Sequence, residues 1–209
     1  VIEKHTFRSR DIVAGNLALD FVNTVTGRNA TPRDWLDGYS ALLEWARLCG
    51  CCSRGDLATL DRMATAGPAR AKEALVNAKR LREALCSAAY AFVHGESADP
   101  MSRATIERFH RSAAQAAHLE WHAHLCRIVW TAEHSGLDLI SHVITVQAVR
   151  LFGDVDVDRL RVCAGDNCGW VFLDTSRGGR RRWCDMATCG NVAKARRHYI
   201  GYTQTDNPL

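Results

Sequence analysis

No stretch of this 209-residue chain approaches the roughly 18 consecutive apolar residues that a membrane span requires. Its opening residues, with Glu3, Arg8, Arg10 and Asp11, contain no signal-peptide core, so a reducing cytoplasm and no membrane partner are expected. A Gly-rich phosphate loop, a nucleophile elbow and a histidine-carboxylate pattern of catalytic spacing are also missing, which argues against an enzyme. Internal repeats, low-complexity tracts and flexible linkers are absent as well, so any separate units should be docked against one another.

What is present is enough apolar residue, 47% of the chain, for one ordinary core and a small second unit. Charge is unevenly spread. The chain has 27 basic and 23 acidic residues, yet positions 159 to 198 hold nine of the basic ones against only Asp166, Asp174 and Asp185. A slightly acidic body therefore carries a basic end, the asymmetry expected where one end meets a polyanion.

The body reads as mainly helical. Leu17, Phe21 and Val25 suit a short amphipathic helix over 15–25. Ser40 is placed to cap a helix ending at Gly50, and Ser53 opens another that Gly67-Pro68 stops. The clearest helix runs from Pro68 to about His94, with Ala74, Ala78, Leu81, Leu85, Ala88 and Phe92 forming one stripe for a partner helix. Ser102 is placed to cap a further helix to about Ala117, and Ile140, Ile144, Ala148 and Leu151 mark another over 137–152. Between these two, Leu119, Trp121, Ala123 and Leu125 alternate as one or two short strands do, although 126–130 also fits a helix. Trp35, Trp45, Trp121 and Trp130 read as core, and His118, His122 and His124 as a solvated or interfacial surface. The fold class expected is mainly α (α+β), with a helical domain over 1–155 and a second unit over 156–209.

Nine cysteines, an odd number, argue against a fully paired disulfide framework. Cys49, Cys51, Cys52, Cys86 and Cys126 lie in apolar contexts and read as small buried hydrophobes. The other four, Cys163, Cys168, Cys184 and Cys189, form two Cys-x4-Cys pairs separated by fifteen residues. Thiolates two to four residues apart can reach one zinc ion because the intervening turn folds the backbone around it. Clustered disulfides would need an oxidising compartment, and this cluster lacks the Cys-x-x-Cys spacing usual for a redox site. Four thiolates leave no open coordination position, so a single structural Zn2+ is expected. Trp170 to Leu173 reads as a strand, Asp174 to Gly179 as a turn, and the segment after Cys189 as a helix. Together these predict a treble-clef-like finger of knuckle, hairpin and terminal helix.

This module resembles the CGNR zinc-finger family, on Cys168-Gly169-Trp170-Val171-Phe172-Leu173-Asp174-Thr175-Ser176, Arg182-Trp183-Cys184-Asp185-Met186 and Cys189-Gly190-Asn191 with Lys194 and Arg196. Leu17-Ala18-Leu19-Asp20-Phe21-Val22-Asn23-Thr24 resembles the signature of the N-terminal ABATE domain that accompanies it. The resemblance implies a bacterial, stress-related transcription regulator. One position departs from the motif: Val192 stands where the family has its naming arginine, which affects any acidic or phosphate contact of that side chain and not zinc ligation.

Arg180, Arg181 and Arg182 at the hairpin's far end, with Asn191, Lys194, Arg196 and Arg197 on the terminal helix, are the candidate DNA contacts. Phosphate binding needs such clustering, and Asn191, Lys194 and Arg197 share a helical face able to enter a major groove. Four thiolates and one zinc ion together contribute a charge of about −2, which offsets part of that basic excess. Asp20 and Asn23 share a face of the first helix and are candidates to line a small-molecule effector pocket. A DNA-reading form suggests a homodimer. The alternative is a structural or protein-docking finger with no nucleic acid.

Overall fold

The computed structural model describes residues 1–153, 155–196 and 199. The expected helices are present with shifted ends, α1 Leu17–Val22, α2 Tyr39–Cys49, α3 Arg54–Ala66, α4 Pro68–Val93, α5 Pro100–Ala116 and α7 Leu139–Gly153, and a short α6 Ala132–Ser135 that the sequence did not suggest precedes α7. Among the described residues, three antiparallel two-stranded sheets accompany them: β1 Val25–Thr26 with β2 Arg33–Asp34, β3 His118–His122 with β4 Leu125–Val129, and β5 Leu160–Val162 with β6 Val171–Leu173.

Capping chemistry explains the shifted ends. Asp99, not Ser102, starts α5, its carboxylate accepting from Ser102 N at 2.9 Å. Gly38 caps α2 without a side chain, and Ser53 caps α3 as expected, accepting from Asp56 N. At its other end α2 stops on Gly50, whose φ of 63° is the left-handed conformation that glycine adopts at least cost.

Helix α4 is the hub, packing against α1, α2, α3, α5 and α7 and reaching β5 of the finger. Ala78, Leu81, Leu85 and Ala88 of its stripe are buried, and Phe92 meets Phe152 of α7 edge to face at 5.1 Å. Phe21 and Trp45 are fully buried with ring centroids 5.3 Å apart. Each contributes on the order of 2 to 3 kcal/mol of burial.

The polar centre of this body is Asp34, on a strand pair too short to be predicted from periodicity. It accepts from both terminal guanidinium nitrogens of the buried Arg82 at 2.8 and 2.9 Å and pairs with Lys79 at 2.9 Å. Although burial opposes its charge, these cations hold its carboxyl at about 2. Arg82 also donates to Thr24 Oγ1 and Glu83.

Two expectations fail in the body. Trp121 is 75% exposed, because β3 and β4 project from the helices instead of lying on them. Cys126, on the same hairpin, is exposed too, while of the other four isolated cysteines Cys86 is buried and Cys49, Cys51 and Cys52 are half-buried. Burial pushes the Cys49 thiol up to about 12, with the Asp20 carboxylate adding to the shift. Cys49 and Cys52 do have two-residue spacing, but Cys49 closes α2, where the negative end of the helix dipole opposes a thiolate.

Candidate metal centre and its seam with the helical body

The loop joining β5 to β6 is the first half of the metal centre. Val162 pairs with Val171, so the ladder ends where Cys163 begins, and Cys163 N donates to Trp170 O at 2.8 Å. Cys168 N closes the turn onto Gly165 O at 3.0 Å. The hairpin therefore flanks the first cysteine pair, whereas the sequence suggested one lying between the pairs. The reason is Asp174: its buried carboxylate accepts from Ser176 N and Oγ and from Arg181 N, turning the chain away from a returning strand. The Ser176 hydroxyl, with these backbone donors, holds Asp174 below the usual carboxylate range.

The second half begins at Cys184 and runs into a helical turn, Met186–Gly190, which Asp185 caps by accepting from Thr188 N at 3.0 Å, and helical backbone continues over 191–196. This turn carries Cys189 back against the knuckle. A Cβ at Gly165 would lie only 3.3 Å from Cys189 Sγ, so the absence of a side chain lets the two halves close.

The four sulfurs converge. All lie within 4.8 Å of one another, and Cys184 Sγ is 3.7 Å from both Cys168 Sγ and Cys189 Sγ. A tetrahedron with zinc-sulfur bonds of about 2.3 Å has edges of about 3.8 Å, so the donor set fits one zinc ion. Backbone N–H groups of Gly165 and Cys184 point at Cys163 Sγ at 3.4 and 3.3 Å. Contacts from the Cys168 and Cys184 thiols, with those N–H groups, pull the Cys163 thiol down. Hydrogen bonding to the Cys163 sulfur pushes Cys168 and Cys184 up, and burial raises Cys189. Such a cluster accommodates four thiolates only around a cation. The four cysteines are thus positioned to bind one zinc ion, with Cys163, Cys168 and Cys184 buried and Cys189 half-buried.

Sequence reasoning did not anticipate how the finger is seated. Asn23 clamps the outer edge of β6: its Nδ2 donates to Val171 O and its Oδ1 accepts from Val171 N, both at 2.9 Å. Leu173 N extends this edge by donating to Ala14 O. Trp170 Nε1 reaches Val25 O at 3.1 Å, Arg28 N reaches Cys168 O at 3.1 Å, and Tyr90 Oη donates to Gly169 O. At Gly169, with φ of 71°, a Cβ would come 2.8 Å from Arg28 Cβ, so this joint needs glycine.

These contacts correct the effector-pocket assignment. Asn23 is 1% exposed and fully engaged by β6, and Asp20 is 5% exposed, accepting from Ala14 N at 2.9 Å. Burial raises Asp20 to about 6 against the pull of its backbone donors. Asn23 holds the finger directly and Asp20 holds the segment that receives it, and their polar atoms are not presented to a ligand.

The basic residues separate into three groups. Arg181 is structural: it stacks over Phe172 at 4.5 Å and donates to Val13 O, Trp183 O and Cys184 O. Arg196 is exposed and paired with Asp166 of the knuckle, and Asn191 donates back to Ala187 O. Arg180, Arg182 and Lys194 are at least partly exposed, Arg182 lying over the Trp183 ring at 5.3 Å, and Arg177 on the same loop is exposed as well. Arg197 lies outside the described residues.

Fold and site together define a helical protein with a tetracysteine zinc finger seated on it. Residues 15–155 match the ABATE family, described as "Putative stress-induced transcription regulator", and residues 159–200 match the CGNR zinc finger. The chain belongs to the ABATE family and carries the CGNR finger at its C-terminal end. No curated protein matches it. No helix among the described residues is long and apolar enough to cross a membrane.

Proposed function

We propose that this is a DNA-binding transcription regulator, without catalytic activity, whose zinc finger contacts the duplex. The observation that supports this reading is the set of solvent-accessible cations on the finger, Arg177, Arg180, Arg182 and Lys194. Zinc held by Cys184 and Cys189 would tie the loop that carries the arginines to the helical segment that carries the lysine. Phosphate contacts of this kind release condensed counterions, and affinity falls as salt rises. Fluorescence anisotropy with a labelled duplex across a salt series tests it. Binding at low salt is expected, with each neutralised phosphate contributing about 0.9 to the slope of log K on log salt. Replacing Arg180, Arg182 and Lys194 by Gln should flatten the slope by about one unit for each phosphate that is no longer neutralised. No binding at low salt, or a slope near zero, contradicts the proposal.

One observation favours a second reading. Arg181 and Asn23, residues that sequence logic assigned to DNA and to a ligand, instead join finger to body. A finger serving only to complete the body would show this same seam, and the salt series separates the two.

A further inference from the structure

The β3–β4 hairpin carries the pattern of a half-buried sheet on a surface that the rest of the described chain leaves open. Strict pairing places Leu119 opposite Ile128 and Trp121 opposite Cys126, all on one face. The other face carries Glu120 opposite Arg127 at its centre, with His118 and His122 at 4.0 and 3.8 Å from the Glu120 carboxylate, and Leu125 and Val129 only at its two ends. Such alternation ordinarily marks one wet face and one covered face. Here the apolar face is open: Leu119 is 54% exposed, Trp121 75% and Ile128 58%, and Cys126 is exposed as well. Near its base the hairpin is tied to the body, where His118 stacks on His134 and Trp130 Nε1 donates to Ala113 O.

We propose that this face is the contact between two copies of the chain, packed apolar face to apolar face about a two-fold axis. Three observations select a second copy. The face carries no charged side chain, so self-association brings no like charges together, and the absence of cations on it disfavours nucleic acid or an anionic membrane as its occupant. Its three large side chains expose about 400 Å² of apolar surface per copy, a patch of the size that marks association sites. Two such faces give about 800 Å² of apolar core, which a polar rim raises toward the ~1,200 Å² of the smaller stable interfaces. Finally, a lone two-stranded hairpin is marginal in water, and stacking against its copy supplies the second layer it lacks. The inference does not rest on DNA binding, since the hairpin belongs to the helical body.

Sedimentation equilibrium on the zinc-loaded full chain tests it. The expected result is twice the chain mass at micromolar concentration. Trp121→Glu and, separately, Ile128→Lys should each weaken the dimer at least ~30-fold, with helical circular dichroism and zinc content unchanged. A readout that does not depend on the charged variants comes from Cys126, because stacked sheets lie about 10 Å apart. A bis-maleimide of matching length should link two native chains, and Cys126→Ser should abolish the product. A monomer at concentrations up to about 100 µM overturns the proposal. So does a dimer that both charged variants retain, or a cross-link that survives Cys126→Ser.

Discussion

In the helical body, Phe21, Trp45, Leu81, Leu85, Ile140 and Ile144 pack out of reach of water around α4. Among the described residues of the finger, the buried apolar side chains are Leu160, Trp170, Val171 and Phe172, together with Cys163, Cys168 and Cys184. The body holds its shape by apolar area, with the Arg82-Asp34 pair at its polar centre. The finger has too little area to do so, since about forty residues cannot offset their own ordering entropy, and metal ligation supplies the difference. The two regions also share one boundary. Trp170 and Phe172 belong to the same apolar cluster as Phe21 and Leu85, and Asn23 acts there as a one-residue strand on the edge of β6. A metal-dependent unit is thus built onto a metal-independent one, and breaking either side of the boundary should give a different result.

The largest effect is expected from Cys184→Ser. Zinc ligation contributes about 10 to 16 kcal/mol in isolated finger peptides, so removing a ligand should unfold the finger and release the metal. Helical circular dichroism should fall only slightly, because α2 to α5 and α7 lie in the body. An intact finger in this variant would contradict the metal assignment. Arg82→Ala strikes the other region. Removing one partner of a buried ion pair costs roughly 3 to 5 kcal/mol, and chemical denaturation should show global destabilisation with zinc content unchanged.

Asn23→Ala should have a smaller effect at the boundary. It takes the partner from the N–H and C=O of Val171, at about 1 to 3 kcal/mol for the pair once water enters the space left, and should loosen the finger before the body. Limited proteolysis that cuts first within 155–196 is the expected sign. The smallest effect is expected from Asp20→Asn, and it depends on pH. Burial raises Asp20 to about 6, so the folded chain keeps a proton that the unfolded chain releases near 4. Stability from this group is therefore full below about 4 and is lost as pH rises through 6. The asparagine variant should remove that decline, gaining on the wild type by roughly 1 to 3 kcal/mol between pH 4 and 7 in thermal melts.

The finger was the more legible region because its information is local. Two Cys-x4-Cys pairs state which atoms meet, and zinc chemistry states how. The long helices were legible for a similar reason, since the Ala74 to Ala88 stripe repeats over many turns. The joints were not. Asn23 and Val171 are 148 positions apart, and nothing in either residue type names the other. Arg181 was indistinguishable in sequence from Arg180 and Arg182, although the Asp174 turn carries it under the finger and leaves its neighbours outside. Trp121 looked like core because alternation reports that a face is to be covered without reporting by what. The pair β1–β2 has only two residues in each strand, below the length at which any period can be read.

The central claim is that one zinc ion holds the finger while the body stands without it, and hydrogen exchange with and without a chelator tests it most directly. About one zinc per chain should be released. Protection should disappear from β5, β6 and Met186–Gly190 and persist in α4, α5 and α7. A protein that yields no zinc, or a chelated finger that keeps its protection, would contradict the account.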